Sequence, residues 1–352
     1  MNRRTFLKSS FAAAATLAAS PACAADTASA VPARPRLRIG FLGMEHSHAA
    51  GKLSAVQASP EWELVGICEE KVPLREQLQK QDIRVLSQAD LFRDAQVIAV
   101  ESPVRDHYRH AKAALTAGKH IHVEKPPAVS LAEFKELQAL ALQNKRLMQM
   151  GYMWRYNPGI AKIIEAVREG WLGDVTSIRC SMNSFYNTPA GRAEVAEFRG
   201  GGMFELGSHL IDVVVRLLGR PEKITPTLRS HGRFDDKLVD NAVALFEYPR
   251  ALATISINLL QPNPHGRRFF EVIGSNGTAL LQPIEQPVLQ IDLAKPAGPY
   301  VAKQQSVPLP KYQRYAPEFA DLADTLRAGR PLAVTPETDL LVQECLLKAC
   351  EM

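Results

Sequence analysis

The feature that most constrains this chain is the alternation of short apolar strands and helical segments between Leu37 and Val123. Leu37-Arg38-Ile39-Gly40-Phe41-Leu42-Gly43 is an apolar run ending in glycine and reads as a buried strand. A helical pattern follows through Ala49, Leu53 and Val56. Glu63–Cys68 is a second strand ending in Glu69-Glu70, Ile83–Val85 a short third, and Gln96–Val100 a firmer one that Pro103 stops. Residues 105–117 read as a helix closed by Gly118, and His120–Val123 as another strand. Strands and helices joined in this order by short connections predict a parallel sheet of the dinucleotide-binding type.

At 352 residues the chain is longer than one ordinary domain. Its character shifts after Met150, so the expected fold is α/β over 37–150, a Rossmann-type dinucleotide-binding domain, followed by an α+β domain over 151–352. In the second part a helix near Gly159–Glu169 precedes strand candidates at Val175–Asn183, Leu238–Tyr248, Ala251–Leu259, Phe269–Gly274 and Thr278–Gln282, with Asn276-Gly277 as a two-residue turn. Consecutive strands on short turns imply an antiparallel sheet. Pro317–Leu326 and Glu337–Cys350 read as two helices packing back on the body.

The first residues read as a targeting segment. Arg3-Arg4 with Thr5-Phe6-Leu7-Lys8 is a twin-arginine signal, and the apolar run Phe11–Ala19 is too short to span a bilayer. Ala22-Cys23-Ala24 supplies a small-residue cleavage site, which makes 1–25 a signal peptide and 26–36 a linker, and the mature protein periplasmic. A lipoprotein acylated at Cys23 would need a larger apolar residue where Ser20 stands. The signal holds three cations (Arg3, Arg4, Lys8) and no acid, so its removal takes the formal charge from +5 to +2. No basic run or aromatic–basic interleaving suggests nucleic acid. Cys68, Cys180, Cys345 and Cys350 remain and are expected as free thiols; their spacings form no metal motif, and no metal is expected.

Gly200 to Arg216, GGGMFELGSHLIDVVVR, is the second informative stretch. Leu206, Leu210, Val213, Val214 and Leu217 recur at helical spacing and face a core. Glu205, His209, Asp212 and Arg216 share the other face, so a carboxylate and an imidazole are neighbours at i, i+4. The glycines would let a substrate or cofactor approach the backbone.

The glycine fingerprint of dinucleotide binding is incomplete: of its three positions, Gly43, Glu45 and His48, only the first keeps glycine. Glu45 places a negative charge where a diphosphate would lie, repelling it unless the side chain turns away. His46 and His48 could compensate as donors. Glu69, 26 residues after Gly43, stands where an acid holds a ribose diol and favours NAD over NADP.

Glu124-Lys125-Pro126 after the Ile121–Val123 strand resembles the E-K-P motif of the glucose-fructose oxidoreductase / inositol dehydrogenase / MocA family. Ser102-Pro103 with His107, Ala117-Gly118-Lys119-His120, Arg155-Tyr156-Asn157-Pro158, Glu169–Val175 and Gly200–Gly202 with His209 and Asp212 are its companions in the family's order. The similarity runs from about Leu37 to the C-terminus. It implies an open, mostly antiparallel second sheet that forms homo-oligomers. It also implies NAD or NADP held by Gly43, Met44, Glu45, His46, Glu69, Ser102, Pro103, His107 and Glu124. The family's lysine and Asp-x-x-x-His pair map onto Lys125 and His209, with Glu205 in place of the aspartate and one methylene longer. Lys125 would stabilise a developing alkoxide, a neutral His209 would act as base, and Glu205 would orient His209. Arg155, Tyr156 and Asp212, with Lys125 and His209, would bind substrate; Tyr152 and the loop residue His265 are further candidates.

The expected activity is therefore an exported NAD(P)-dependent oxidoreductase acting on a sugar, polyol or glycoside. Free nucleotide is scarce outside the cytoplasm, which favours a tightly bound cofactor recycled within each turnover. The alternatives are a redox-neutral lyase or hydrolase on keto-sugars that uses the same acid and base, and a non-catalytic sugar-binding protein. No partner beyond a small carbohydrate and a second copy of the chain is expected, and no stable membrane span.

Overall fold

A computed structural model describes residues 34–352; the twin-arginine signal (1–25) and the first part of the linker (26–36) lie outside the described residues. The chain runs β1 (Leu37–Leu42), α1 (Ala49–Ala58), β2 (Trp62–Cys68), α2 (Val72–Lys80), α3 (Gln88–Asp94), β3 (Val97–Val100), α4 (His107–Thr116), β4 (His120–Val123), α5 (Leu131–Gln143) and β5 (Met148–Met150). These five strands form one parallel sheet in the order β2-β1-β3-β4-β5. The buried runs Ile39–Leu42 and Val97–Val100 show why: strands covered on both faces are apolar throughout.

Next come α6 (Pro158–Arg168), β6 (Val175–Ser181), α7 (Pro189–Ala196), a π turn (Met203–Gly207) continuous with α8 (Ser208–Leu218), β7 (Lys223–Arg229), β8 (Asn241–Glu247) and β9 (Leu252–Asn258). β10 (Phe269–Gly274), β11 (Gly277–Leu281), β12 (Leu289–Leu293), β13 (Gln304–Val307), α9 (Ala316–Ala328) and α10 (Pro336–Ala349) complete the chain. The second sheet has eight strands in the order β13-β12-β11-β10-β6-β9-β8-β7, antiparallel except where β6 pairs β9. A Rossmann-type parallel sheet is thus followed by an open, mostly antiparallel one, as expected.

Local chemistry sets the helix boundaries. Ser130 and Glu133 form a capping box that starts α5, and Asn157 accepts hydrogen bonds from the Gly159 and Ile160 amides ahead of Pro158 to start α6. Alternating burial in β8 and β9 turns Ala242, Ala244 and Phe246, and Ala253, Ile255 and Ile257, inward.

Three local expectations change. Ile83–Val85 makes only an isolated bridge, Ile67 to Val85, because no ladder extends from it. The β10–β11 turn is Ser275-Asn276; Gly277 is already paired with Leu293, and a Cβ there would sit 2.3 Å from the Asp292 carbonyl. The third concerns α8, which is buried nearly all round: His209 and Asp212 are as covered as Leu210 and Val213.

Near the C-terminus, α9 returns to the first sheet. Phe319, Leu322 and Ala323 share a core with Ile39, Phe41 and Trp62, and Trp62 Nε1 donates to the Phe319 carbonyl (3.1 Å). This return places Glu318 over the carboxyl ends of the parallel strands, beside Lys52 and His122.

Candidate active site

Parallel strands bring their carboxyl ends together, and the loops there carry the chemistry. Gly43 follows β1, Glu101 and Ser102 follow β3, and Glu124 and Lys125 follow β4. Gly43 sits at φ +83°, and a Cβ would lie 2.5 Å from Ser102 Cα, so the turn accepts only glycine.

Glu124 is the hub. It is fully buried; its Oε1 contacts Lys52 Nζ and lies 2.9 Å from His48 Nδ1, while its Oε2 accepts the Lys125 amide (3.0 Å). Lys52, buried in α1, also donates to Glu101 Oε1 (3.1 Å) and lies 2.7 Å from His122 Nε2. His122 Nδ1 donates to Gln149 Oε1 (2.8 Å), which leaves Nε2 free to accept from the ammonium. Burial pushes the His122 imidazole down to about 3, with Lys52 reinforcing it. Burial alone would also lower Lys52, but Glu101, Glu124 and Glu318 outweigh it and hold its ammonium above the usual lysine range.

Lys125 points into the second domain, where its Nζ donates to Glu205 Oε1 (2.5 Å) and to the Glu205 carbonyl (3.1 Å). His209 is buried against Trp154, Tyr152 and His48 (ring centroids 5.3, 6.0 and 6.2 Å), and neither ring nitrogen has a hydrogen-bond partner among the described residues. Burial, then the Lys125 ammonium, hold it well below the ordinary histidine value, so it is neutral. The expected Glu205–His209 pair does not form. Glu205 belongs to the π turn, whose wider winding shifts it from the register an α-helix would give, and it meets Lys125 instead. The glycines of this stretch face protein rather than ligand: a Cβ at Gly201 would meet the Val239 carbonyl at 2.4 Å, one at Gly202 the side chains of Ile257 and Leu259, one at Gly200 Cys350.

The other anticipated residues are distributed as follows. Arg155 Nε and Nη2 donate to Asp212 Oδ1 (3.1 and 2.7 Å) and Nη2 to Asp339 Oδ1 (2.5 Å), with the guanidinium over the Tyr152 ring. Arg155 and Asp212, anticipated as substrate contacts, are thus committed to each other, as buried charges must be. Tyr156 donates to Asp321 Oδ2 (2.9 Å). His107 is clamped between the Pro126 and Ser102 carbonyls (2.7 and 2.9 Å), tying the loop after β3 to the loop after β4. His265 is exposed in a 3₁₀ turn.

Around the Gly43 turn the residues fit a nucleotide. Glu45 turns outward to Lys71 (2.9 Å), which removes the charge that would oppose a diphosphate. Glu69 accepts the Met44 and Lys71 amides (2.7 Å each), bracing the loop, and the Ser102 hydroxyl is buried without a partner. A pocket of about 60 Å³ lined by His46, Tyr186, Glu194, Phe198 and Glu205 adjoins the Lys125 partner. Larger cavities, about 290 Å³ beside Arg155 and Arg216 and about 440 Å³ along Leu142 and Leu332, lie away from these groups, so side-chain chemistry rather than volume locates the site.

The motifs did not reveal Lys52, Glu101, His122 and Glu318. Lys52 had a readable signal: with Ala49, Leu53 and Val56 it completes an i, i+3, i+4, i+7 stripe, all four buried. No helix among the described residues is long and apolar enough to cross a membrane.

Comparison with known proteins agrees with this architecture. Residues 37–152 match the oxidoreductase family with NAD-binding Rossmann fold, and residues 160–280 match the GFO/IDH/MocA C-terminal domain. The uncharacterized oxidoreductase YdgJ of Escherichia coli is 28% identical over 252 residues, 69% of this chain and 70% of the relative. The scyllo-inositol 2-dehydrogenase (NADP(+)) of Bacillus subtilis is 28% identical over 163 residues, 46% of this chain and 45% of its own length. The crystal structure of an aldose–aldose oxidoreductase from Caulobacter crescentus superposes with a TM-score of 0.76 at 19% identity, covering 90% of this chain and 98% of that one, a likeness of fold. With both halves matched, on either side of the Lys125–Glu205 junction, the chain belongs to the GFO/IDH/MocA family of NAD(P)-binding oxidoreductases.

Proposed function

We propose that the protein oxidises a hydroxyl of a sugar, polyol or glycoside, using NAD or NADP that stays bound and is recycled within each turnover by returning the hydride to a carbonyl, either that of a second sugar or that of the transiently oxidised glycoside after its cleavage. The observation that carries this is a neutral, buried His209 with both ring nitrogens unpartnered, under the influence of Lys125, which Glu205 holds from across the domain junction. The named activities of the relatives, a polyol dehydrogenase and an aldose–aldose oxidoreductase, support the substrate class.

Gly43, Met44, His46, Glu69, Ser102, Pro103, His107 and Glu124 form or brace the nucleotide-side loops. The nucleotide supplies the hydride acceptor. The chain supplies the proton chemistry: the Lys125 ammonium binds the substrate oxygen and stabilises negative charge on it, and a ring nitrogen of His209 takes the hydroxyl proton. Glu205 fixes Lys125 in place. The outward Glu45–Lys71 pair supports diphosphate binding, while Glu69, just after β2, is spent on the Met44 and Lys71 amides and shapes the loop rather than selecting NAD over NADP. Export through the twin-arginine signal motivates the bound, recycled cofactor. The exposed side of the second sheet, with Val243 and Leu252 uncovered, supports assembly of a homo-oligomer through it.

The test is mass spectrometry of the small molecules released on denaturing protein exported by its native host. About one nucleotide per chain is expected. Reproducible absence, with turnover of a 3-keto-glycoside, would instead establish the redox-neutral lyase. NADH accumulating steadily from added NAD⁺ and one simple sugar would contradict recycling. Periplasmic location is checked by cell fractionation with Arg3 and Arg4 replaced by lysine.

A further inference from the structure

His46 belongs to the nucleotide-side loop, but that role makes no use of its Nε2. Its ring is buried (the residue is 5% exposed), its Nε2 has no hydrogen-bond partner among the described residues, and that nitrogen faces two carboxylates, Glu124 Oε2 at 3.8 Å and Glu205 Oε1 at 4.0 Å. These gaps are too long for hydrogen bonds and match two ligand atoms sharing a cation: bonds of about 2.1 Å to nitrogen and oxygen place the donors roughly 3.4–4.2 Å apart across angles from tetrahedral to linear. His48 approaches from the same side, with Nδ1 2.9 Å from Glu124 Oε1 and its ring edge-on to that of His46 (4.8 Å). One ligand atom from each of His46, His48 and Glu124 lies within 4.8 Å of the others.

We propose that His46, His48 and Glu124 form a binding site for one first-row divalent transition-metal ion, with Zn²⁺ or Fe²⁺ the fitting chemistry, whose open position faces Glu205 and Lys125. Two imidazoles and a carboxylate suit borderline metals rather than Mg²⁺ or Ca²⁺. Both histidines are held below the ordinary value, burial being the main cause, so both present the neutral ring a metal requires. Ligation at Nε2 moves the His46 proton to Nδ1, at the expense of only the long bond that Nδ1 accepts from the His48 amide (3.3 Å). Charge permits it. The charged groups facing this point are the Glu124 and Glu205 carboxylates and the Lys52 and Lys125 ammoniums, each ammonium already held on one of those carboxylates. Lys52 stays on Glu124 Oε1 and locks the carboxylate's orientation, and the ion uses the second lone pair of Oε2, whose other lone pair accepts the Lys125 amide (3.0 Å). The second trio, Glu101, His122 and Glu124, has Lys52 at its centre and no room for a cation.

The site stands apart from the nucleotide reading, since metal content is measured without turnover. Full-length protein carrying no histidine tag is stripped with chelator and titrated with Zn²⁺ and with Co²⁺. The expected result is about one Zn²⁺ per chain at micromolar affinity or tighter, and a visible cobalt absorption unlike that of the aqueous ion. His46→Gln and His48→Gln should each weaken zinc binding by at least about tenfold with the circular dichroism spectrum retained. Should either variant fail to fold, wild-type cobalt protein decides: paramagnetically shifted imidazole N–H resonances from two histidines support the site, and none overturns it. Zinc uptake equal in wild type and in the folded variants would show adventitious binding and overturn it as well.

Discussion

Replacing Glu318 with glutamine isolates the electrostatics of the buried cluster beneath the site. Glu318 is fully buried in α9, neither carboxyl oxygen has a hydrogen-bond partner, and the Lys52 ammonium stands off at 3.8 Å. Burial dominates and pushes this carboxyl up to about 7, Glu124 adding to the rise and Lys52 opposing it. An unfolded glutamate titrates near ~4.3, so between roughly pH 4.3 and 7 the folded protein keeps a proton that the unfolded chain has lost. Stability from this group is therefore greatest at acid pH and declines as pH rises to about 7, by roughly 3–4 kcal/mol at ~1.4 kcal/mol per pH unit. Glutamine keeps the shape and has no proton to lose. The buried histidines impose the opposite slope, because His46, His48, His122 and His209 stay neutral where unfolded histidine is charged; that slope is common to both proteins and cancels in their difference. Urea unfolding of wild type and Glu318→Gln at about pH 5 and about pH 8 reads the effect. Because about 1 kcal/mol of the effect is already lost at pH 5, the variant should gain roughly 2.5 kcal/mol on wild type between the two conditions. A variant-minus-wild-type difference that stays within about 0.5 kcal/mol would refute a raised Glu318 and with it the reading of α9 as a desolvating cover.

Lys125→Met and His209→Gln should each lower kcat by roughly two to four orders of magnitude with the fold retained by circular dichroism; a variant keeping more than about half the wild-type rate would remove that residue from the proton chemistry. Lys52→Met strands Glu101 and Glu124 without their shared cation and should cost about 3–5 kcal/mol in denaturant unfolding, and an unchanged midpoint would contradict the network. Glu45→Gly should change NAD affinity by less than about threefold in calorimetry, since Lys71 already draws that carboxylate outward; a tightening of about tenfold or more would show Glu45 swinging over the diphosphate instead.

How far the fold could be read depended on whether the signal was local. Four of the five strands of the first sheet were legible, the clearest being those buried on both faces and written as unbroken apolar runs, Ile39–Leu42 and Val97–Val100; β5, three residues long, was not. β7, β12 and β13 escaped, since half-exposed sequences such as Lys223–Arg229 carry alternation that charged and polar residues blur. Nor could any local pattern show that α9 lies on the first sheet, because that is decided by Phe319 and Leu322 meeting Ile39 and Phe41 nearly 280 positions earlier.

The site divides along the same line. Lys125 was readable because a motif at a strand end fixes its place, and His209 because a buried helix carries it, yet the partner of each was not. An α-helical count puts Glu205 beside His209, and a single π turn, which no residue type announces, sends it to Lys125. His46, His48 and Glu124 fail as a sequence motif for a different reason: two are a residue apart on one loop and the third lies 76 residues beyond His48, joined to them only by the pairing of β1 and β4 through β3. Lys52 carries a sequence signal of its own. A lysine inside the apolar stripe Ala49, Leu53, Val56 must either break the helix's packing or find buried carboxylates, and an oxidoreductase with Glu101 and Glu124 at adjacent strand ends offers it two.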